Sequence, residues 1–188
     1  MNANKIVWIL ALAVILGSLH DLLPRTALAA SASEIDRSAT QSLTSLYKHT
    51  PGAKELADKA VAVLVFPKIV KGGFIIAGQF GDGALRKNGK SVAYYRSLAA
   101  SYGFQAGVQA YGYVLFFMDD ASLRYLDNSE GWELGVGPSL VVLDAGFGKN
   151  VSTTTMQKGV YAFIFDQTGL MGGMGIQGTK ITRINPNP

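Results

Sequence analysis

The apolar positions of the chain fall into three successive patterns. Ile6 to Leu19 is almost wholly apolar, follows Lys5 and precedes Ala27-Leu28-Ala29, the order of a charged n-region, an h-region and a small-residue cleavage site. At 14 residues the run is short of the ~20 that span a bilayer as a helix, so it predicts a signal peptide over residues 1–29, cleaved after Ala29. From Ile35 the period becomes helical. Ile35, Ala39, Leu43, Leu46 and Tyr47 share one helix face, and Ser33 with Asp36 three residues on has the form of a capping box. Thr50-Pro51 then reads as the N-cap and first-turn proline of a second, shorter helix that carries Ala53, Leu56, Ala57 and Ala60.

After Val61 the pattern is that of strands. Val61 to Phe66 is a continuous apolar run stopped by Pro67, which predicts a strand buried on both faces. Phe74 to Leu85 leads through Arg86-Lys87-Asn88-Gly89-Lys90 to Ser91 and Tyr95; Asn-Gly predicts a type I′ hairpin turn, since both residues tolerate positive φ. Phe104, Ala106, Val108, Ala110, Gly112, Val114, Phe116 and Met118 then alternate with Gly103, Gln105, Gly107, Gln109, Tyr111 and Tyr113. One side of this strand is expected to pack and the other to meet something more polar, with a bend at Gly107 or Gly112. Asp119-Asp120 predicts the start of a short helix, Trp132 to Asp144 a strand, and Val160 to Phe165 with Leu170 to Ile184 a last hairpin about Asp166-Gln-Thr-Gly169.

Of the 22 glycines, 20 lie between Gly72 and Gly178. Glycine weakens straight strands and permits bends, so the expected fold is α+β. N-terminal helices, residues 30–60, pack on a strongly bent, glycine-rich antiparallel β-sheet or partly closed barrel, mainly residues 61–184. A chain of 188 residues fits one domain, residues 30–188. The absence of cysteine excludes disulfides, thiolate catalysis and cysteine-ligated metals.

Removing 29 of the 188 residues leaves 159, with 15 Lys+Arg and 12 Asp+Glu, a net charge of +3. No nucleic-acid partner follows from so mild an excess. Its placement says more. Residues 61–90 hold Lys68, Lys71, Arg86, Lys87 and Lys90 against Asp82 alone, while Asp119, Asp120, Asp127, Glu130 and Glu133 face only Arg124. A basic face of this kind either is solvated or meets anionic headgroups. Within it, Lys68 and Lys71 flank Ile69-Val70 at an expected strand exit, and Gly72-Gly73 would leave backbone amides open to a phosphate. Lys68, Ile69, Lys71, Gly72, Gly73 and Phe74 are therefore the candidate lipid-binding residues, with Ile69 and Phe74 against acyl carbon.

Val61-Ala-Val-Leu-Val-Phe-Pro67-Lys-Ile-Val-Lys71-Gly72-Gly73-Phe74, followed by Gly78, Gly81 and Gly83 and by Tyr102-Gly-Phe-Gln105-Ala-Gly107, resembles the SYLF domain. The closing Gly169-Leu-Met-Gly-Gly-Met-Gly-Ile-Gln-Gly178-Thr-Lys-Ile looks like the tail of its bacterial secreted members. Matching pieces run from about Leu46 to Ile184. SYLF domains of fungal and animal endocytic proteins bind phosphoinositide membranes, and some bind actin filaments. The resemblance implies a non-enzymatic lipid-binding module, here of the bacterial envelope. The expected partner is an anionic phospholipid or membrane surface, with no cofactor; an exported, periplasmic chain would meet no actin.

Two other classes stay open beside it. One is a structural or protein-interaction domain of the periplasm without lipid specificity. The other is a hydrolase, for which Gln105, Gln109 and Tyr111 are spare polar residues on one strand face. His49, the single histidine after the expected leader, is read as a charge on the end of the first helix. Gly173-Met-Gly175-Ile-Gln-Gly178 matches a dinucleotide fingerprint, but a strand-like segment follows and no acidic residue remains for a ribose.

Overall fold

The structure, a computed structural model, describes residues 30–128, 132–133, 140–143, 159–169 and 179–188. The expected signal peptide lies outside these residues, as does 170–178 of the closing segment. The chain opens with helix α1 (Ala32–His49) and helix α2 (Pro51–Lys59). Ile35, Ala39, Leu43 and Leu46 of the expected stripe are buried. The capping box is Ser31 with Glu34: Ser31 Oγ accepts from Glu34 N at 3.3 Å and Glu34 Oε2 from Ser31 N at 2.8 Å. It sits two residues ahead of the expected Ser33-Asp36 pair, because Asp36 is turned toward the sheet. There it accepts from Ser91 Oγ at 2.5 Å and from the Tyr94 hydroxyl at 3.1 Å. The Arg86 guanidinium reaches back to the Asp36 carbonyl at 2.8 Å and to Thr40 Oγ1 at 2.7 Å.

Two long strands dominate the sheet, β1 (Ala62–Lys87) and β2 (Lys90–Phe117), paired antiparallel along their length. Asn88 and Gly89 join them at φ 50° and 77°, the left-handed pair of a I′ turn that the sequence predicts. Pro67 does not stop β1. It falls in a register shift between Phe66 and Ile69, and such a bulge tolerates a residue that lacks an N–H. Helix α3 (Asp120–Asn128) follows β2, capped by Asp119, whose Oδ1 accepts from Ser122 N at 2.7 Å and Oδ2 from Gly159 N at 2.6 Å.

Among the described residues four further strands join the sheet: β3 (Trp132–Glu133), β4 (Leu140–Leu143), β5 (Val160–Gly169) and β6 (Lys180–Ile184). The order is β3-β6-β2-β5-β4, with β1 on β2. All described pairings are antiparallel except β4 with β5. The expected final hairpin does not form among the described residues: β5 pairs with the C-terminal half of β2 and β6 with its N-terminal half. One 28-residue strand offers length enough for both, so each finds its partner there. Of the expected strand at 132–144 the described residues are β3, which pairs with β6, and β4, which pairs with β5. The result is an open α+β fold, and the sheet bends back on itself. Gly81 lies so near the Lys68 carbonyl oxygen and Ile69 that a β-carbon there would stand 2.6 Å and 2.4 Å from them.

Both faces of β2 are therefore covered at 111–117. Val114 and Phe116, with Val63, Val65 and Phe163, pack under α1 and α2. Tyr111, Tyr113, Leu115 and Phe117 face the inside of the bend with Leu64, Phe66, Ile69, Leu85 and Tyr95. The expectation that Tyr111 and Tyr113 would meet a polar surrounding is corrected accordingly. Their rings are core, 4.7 Å separating the stacked Phe66 and Tyr113 centroids, and only their hydroxyls need polar partners. Tyr113 donates to Ser97 Oγ at 3.0 Å and Tyr111 to Gln79 Oε1 at 2.7 Å.

Candidate functional site

The bulge at Pro67 decides which way each candidate residue points. Before it, Leu64 and Phe66 face the inside of the bend; after it, Ile69 does. Strand alternation alone would have turned Lys68 inward and Lys71 outward, and the one extra residue of the bulge, three steps on β1 against two on β2, reverses this. Lys68 is exposed, whereas Lys71 is only 7% exposed. Ile69, expected against acyl carbon, is fully buried under Gly81. Gly72 and Gly73 stand in the ladder opposite Val108 and Gly107 rather than in an open loop. Phe74 follows opposite Ala106, and its side chain lies outside the described residues. Of the candidates, Lys68 thus points to the outer face of the strand and Ile69 and Lys71 to the inner one.

On the outer face, Lys68 is bordered by residues that strand patterning did not single out. Helix α1 covers the outer face only over the half of the sheet nearest Ala84 and Phe116. Beyond it, Val70, Phe80, Leu98 and Val108 are exposed, Phe80 at 47% and Val108 at 64%. Phe80 and Leu98 are ladder partners, as are Gly72 and Val108. A groove of about 630 Å³ runs between this strip and the start of α1, lined by Lys68, Val70, Phe80, Asp82, Glu34 and Arg37 among others. Arg96 stacks 4.8 Å from the Phe80 centroid while its Nε and Nη2 donate to Asp82 at 2.7 and 2.9 Å. Three cations therefore border exposed apolar carbon, with Arg96 already held by a carboxylate. Arg86 of the second basic cluster is committed to α1 and does not join them.

The inner group is polar and enclosed. Lys71 stands opposite Gln109 in the ladder, and Tyr111, bonded to Gln79, is the next inward residue after Gln109. Gln79 is 5% exposed and Gln109 7%. Of the polar residues expected to serve a hydrolase, Gln109 and Tyr111 lie in this cluster, and the Gln105 side chain is outside the described residues. Burial pushes the Tyr111 phenol up to about 12, which keeps it a neutral donor. His49 closes α1, its Nδ1 2.8 Å from the Ser45 carbonyl oxygen, as its position before Thr50-Pro51 implied. Among the described residues no group of three or more His, Asp or Glu side chains gathers to hold a metal ion.

A family model described as Ysc84, Las17-binding protein actin regulator, matches residues 98–186. This is the SYLF domain family that the sequence resembles, and the match spans 89 of the 188 residues. The match starts within the first third of β2 and takes in α3 and β3 to β6. SYLF domains are binding modules, associated in eukaryotes with lipid and actin, and not a known enzyme family. No curated protein matches the chain.

Proposed function

We propose that the protein is a non-enzymatic lipid-binding module of the bacterial envelope, exported by its leader and docking on anionic phospholipid. The observation that carries this reading is the exposed strip of Val70, Phe80, Leu98 and Val108, with Lys68 and Arg37 along its border. Apolar side chains left uncovered next to cations fit a surface with acyl carbon beneath anionic headgroups. The family match supports the class of ligand. It bears on neither the headgroup nor the compartment, which come from the charge of this face and from residues 1–29. Lys68 is retained from the candidate residues as the headgroup contact; Ile69 is not, being interior.

Cosedimentation with vesicles of neutral and anionic phospholipid, at low and moderate salt, tests the reading. Binding to anionic vesicles that weakens with salt is expected, and Lys68→Ala lowers affinity about fivefold, from ~1 kcal/mol per basic residue near such a surface. Phe80→Ser adds a further loss that salt does not change. Indifference to both vesicle types would overturn the proposal and leave the strip as a contact for a protein partner in the periplasm.

A further inference from the structure

We propose that the inner polar end of the sheet is a second binding site, independent of the outer face, for a single oxyanion bearing a hydroxyl group, as a phosphate does. Three observations converge on it. Lys71 is 93% buried by its 7% exposure, and no ion pair reaches it among the described residues. A lysine drawn into the interior side of a sheet with no carboxylate beside it is a ready partner for an anion that enters there. Second, Gln79 Nε2 and Gln109 Oε1 are buried with no hydrogen-bond partner among the described residues. Native interiors rarely leave such atoms unpaired. Third, both amides belong to the same cluster as the ammonium: Gln109 is the ladder partner of Lys71, and Gln79 is tied to Tyr111, two residues along from Gln109.

The needs of these groups define the ligand. Lys71 and Gln79 Nε2 offer only donors, so they call for acceptor oxygens, and the ammonium calls for negative charge. Gln109 Oε1 is an acceptor and calls for a hydroxyl. Monohydrogen phosphate and glycerol phosphate satisfy all three. The next inward pair of the ladder is Gly73 and Gly107, neither of which has a side chain to fill the space beside Lys71. Gly107 holds a φ of 138°, a conformation that excludes most other residues.

Inorganic phosphate and glycerol phosphate, titrated into the purified protein by calorimetry with chloride as the control, test the site. Phosphatidylglycerol vesicles form a second arm. Saturable binding of the soluble probes, weakened about tenfold or more by Lys71→Met and unaffected by Lys68→Ala, is the expected result. Vesicle binding that is lost with Lys71→Met but persists in Lys68→Ala, without response to the soluble probes, would assign the same site to a lipid headgroup. Gln79→Glu guards against a variant that fails to fold. By giving Lys71 a carboxylate it is expected to raise Tm without ligand and to abolish the phosphate response. No saturable binding in either arm, or an unchanged response in both Lys71→Met and Gln79→Glu, overturns the proposal. Since the outer face depends on Lys68 and Phe80, the two proposals fail separately.

Discussion

Gly83 lies against the Phe66 ring, so close that a β-carbon on it would stand 2.6 Å from Phe66 Cδ1 and 2.5 Å from the Val65 carbonyl oxygen. The contact joins two parts of one strand, β1, and fixes how far the sheet bends back. Gly83→Ala must push the backbone of Val65 away or displace a fully buried ring. A loss of about 1–3 kcal/mol is expected, as for overpacking in a filled core. Gly78→Ala is the matched control, since nothing lies within 4 Å of its β-carbon position. Thermal unfolding of the two variants should show a lowered Tm for the first and none for the second.

Asp119 links the end of β2 to the start of β5 through Gly159 while capping α3. Burial raises its carboxyl, but the amides of Gly159, Ser122 and Ala121 with the Ser122 hydroxyl outweigh this and hold it below the usual carboxylate range. A carboxyl depressed on folding stabilises the protein above its unfolded-state value, ~3.9, and that stability disappears as pH falls through the lower, folded value. Asp119→Asn keeps a capping oxygen and loses the charge, so its unfolding midpoint should approach that of the parent protein at the most acidic pH and fall short of it at neutrality. Asp119→Ala should cost about 1–2 kcal/mol in cap alone. Denaturant unfolding across pH 2 to 7 reads both.

Alkaline titration addresses the inner core. Burial pushes Tyr111 up to about 12; burial, with Asp58 nearby, does the same to Tyr47. Burial carries Tyr113 and Tyr95 higher still. Each phenol is raised above its unfolded value, ~10, so the stability it contributes is whole below pH 10 and is lost as pH climbs toward the folded values. Phenolate absorbance should therefore rise in two stages, an early one from exposed tyrosines and a late one that coincides with loss of the native circular dichroism. Tyr111→Phe should remove amplitude from the late stage alone.

What the sequence revealed, and what it withheld, follows from the range of each signal. The α1 stripe and the Asn88-Gly89 turn are local, set by residues within a few positions of each other, and both stand as the pattern implies. The faces of β1 beyond Pro67 depend on the bulge, and proline marks a break in pairing without saying whether the strand ends or resumes with its parity changed. That ambiguity put Lys68 and Lys71 together as one surface site, although they point to opposite sides. Alternation also identified the face carrying Gln109, Tyr111 and Tyr113, but what covers a face is a long-range matter. Here the covering is the other half of the same hairpin, folded over at Gly81 and Gly83. The exposed strip was illegible for the converse reason: Val70, Phe80 and Val108 look like core until α1 proves too short to reach them.

Asp82 supplies a test in which binding should improve. Its carboxylate is held by Arg96 in a two-point pair, and it lines the same groove as Lys68. At the outer face it offsets one of the cations that would meet anionic headgroups. Asp82→Asn removes that charge and leaves Arg96 above Phe80, free to turn toward a membrane. Affinity for anionic vesicles should rise about fivefold at low salt, the counterpart of ~1 kcal/mol for one unit of charge near the surface, and the gain should shrink as salt is added. Stability should fall at the same time, because a partly buried pair has been broken. Tighter binding by a less stable protein would separate the role of the charge from that of the fold; unchanged binding would show that this face does not meet the membrane.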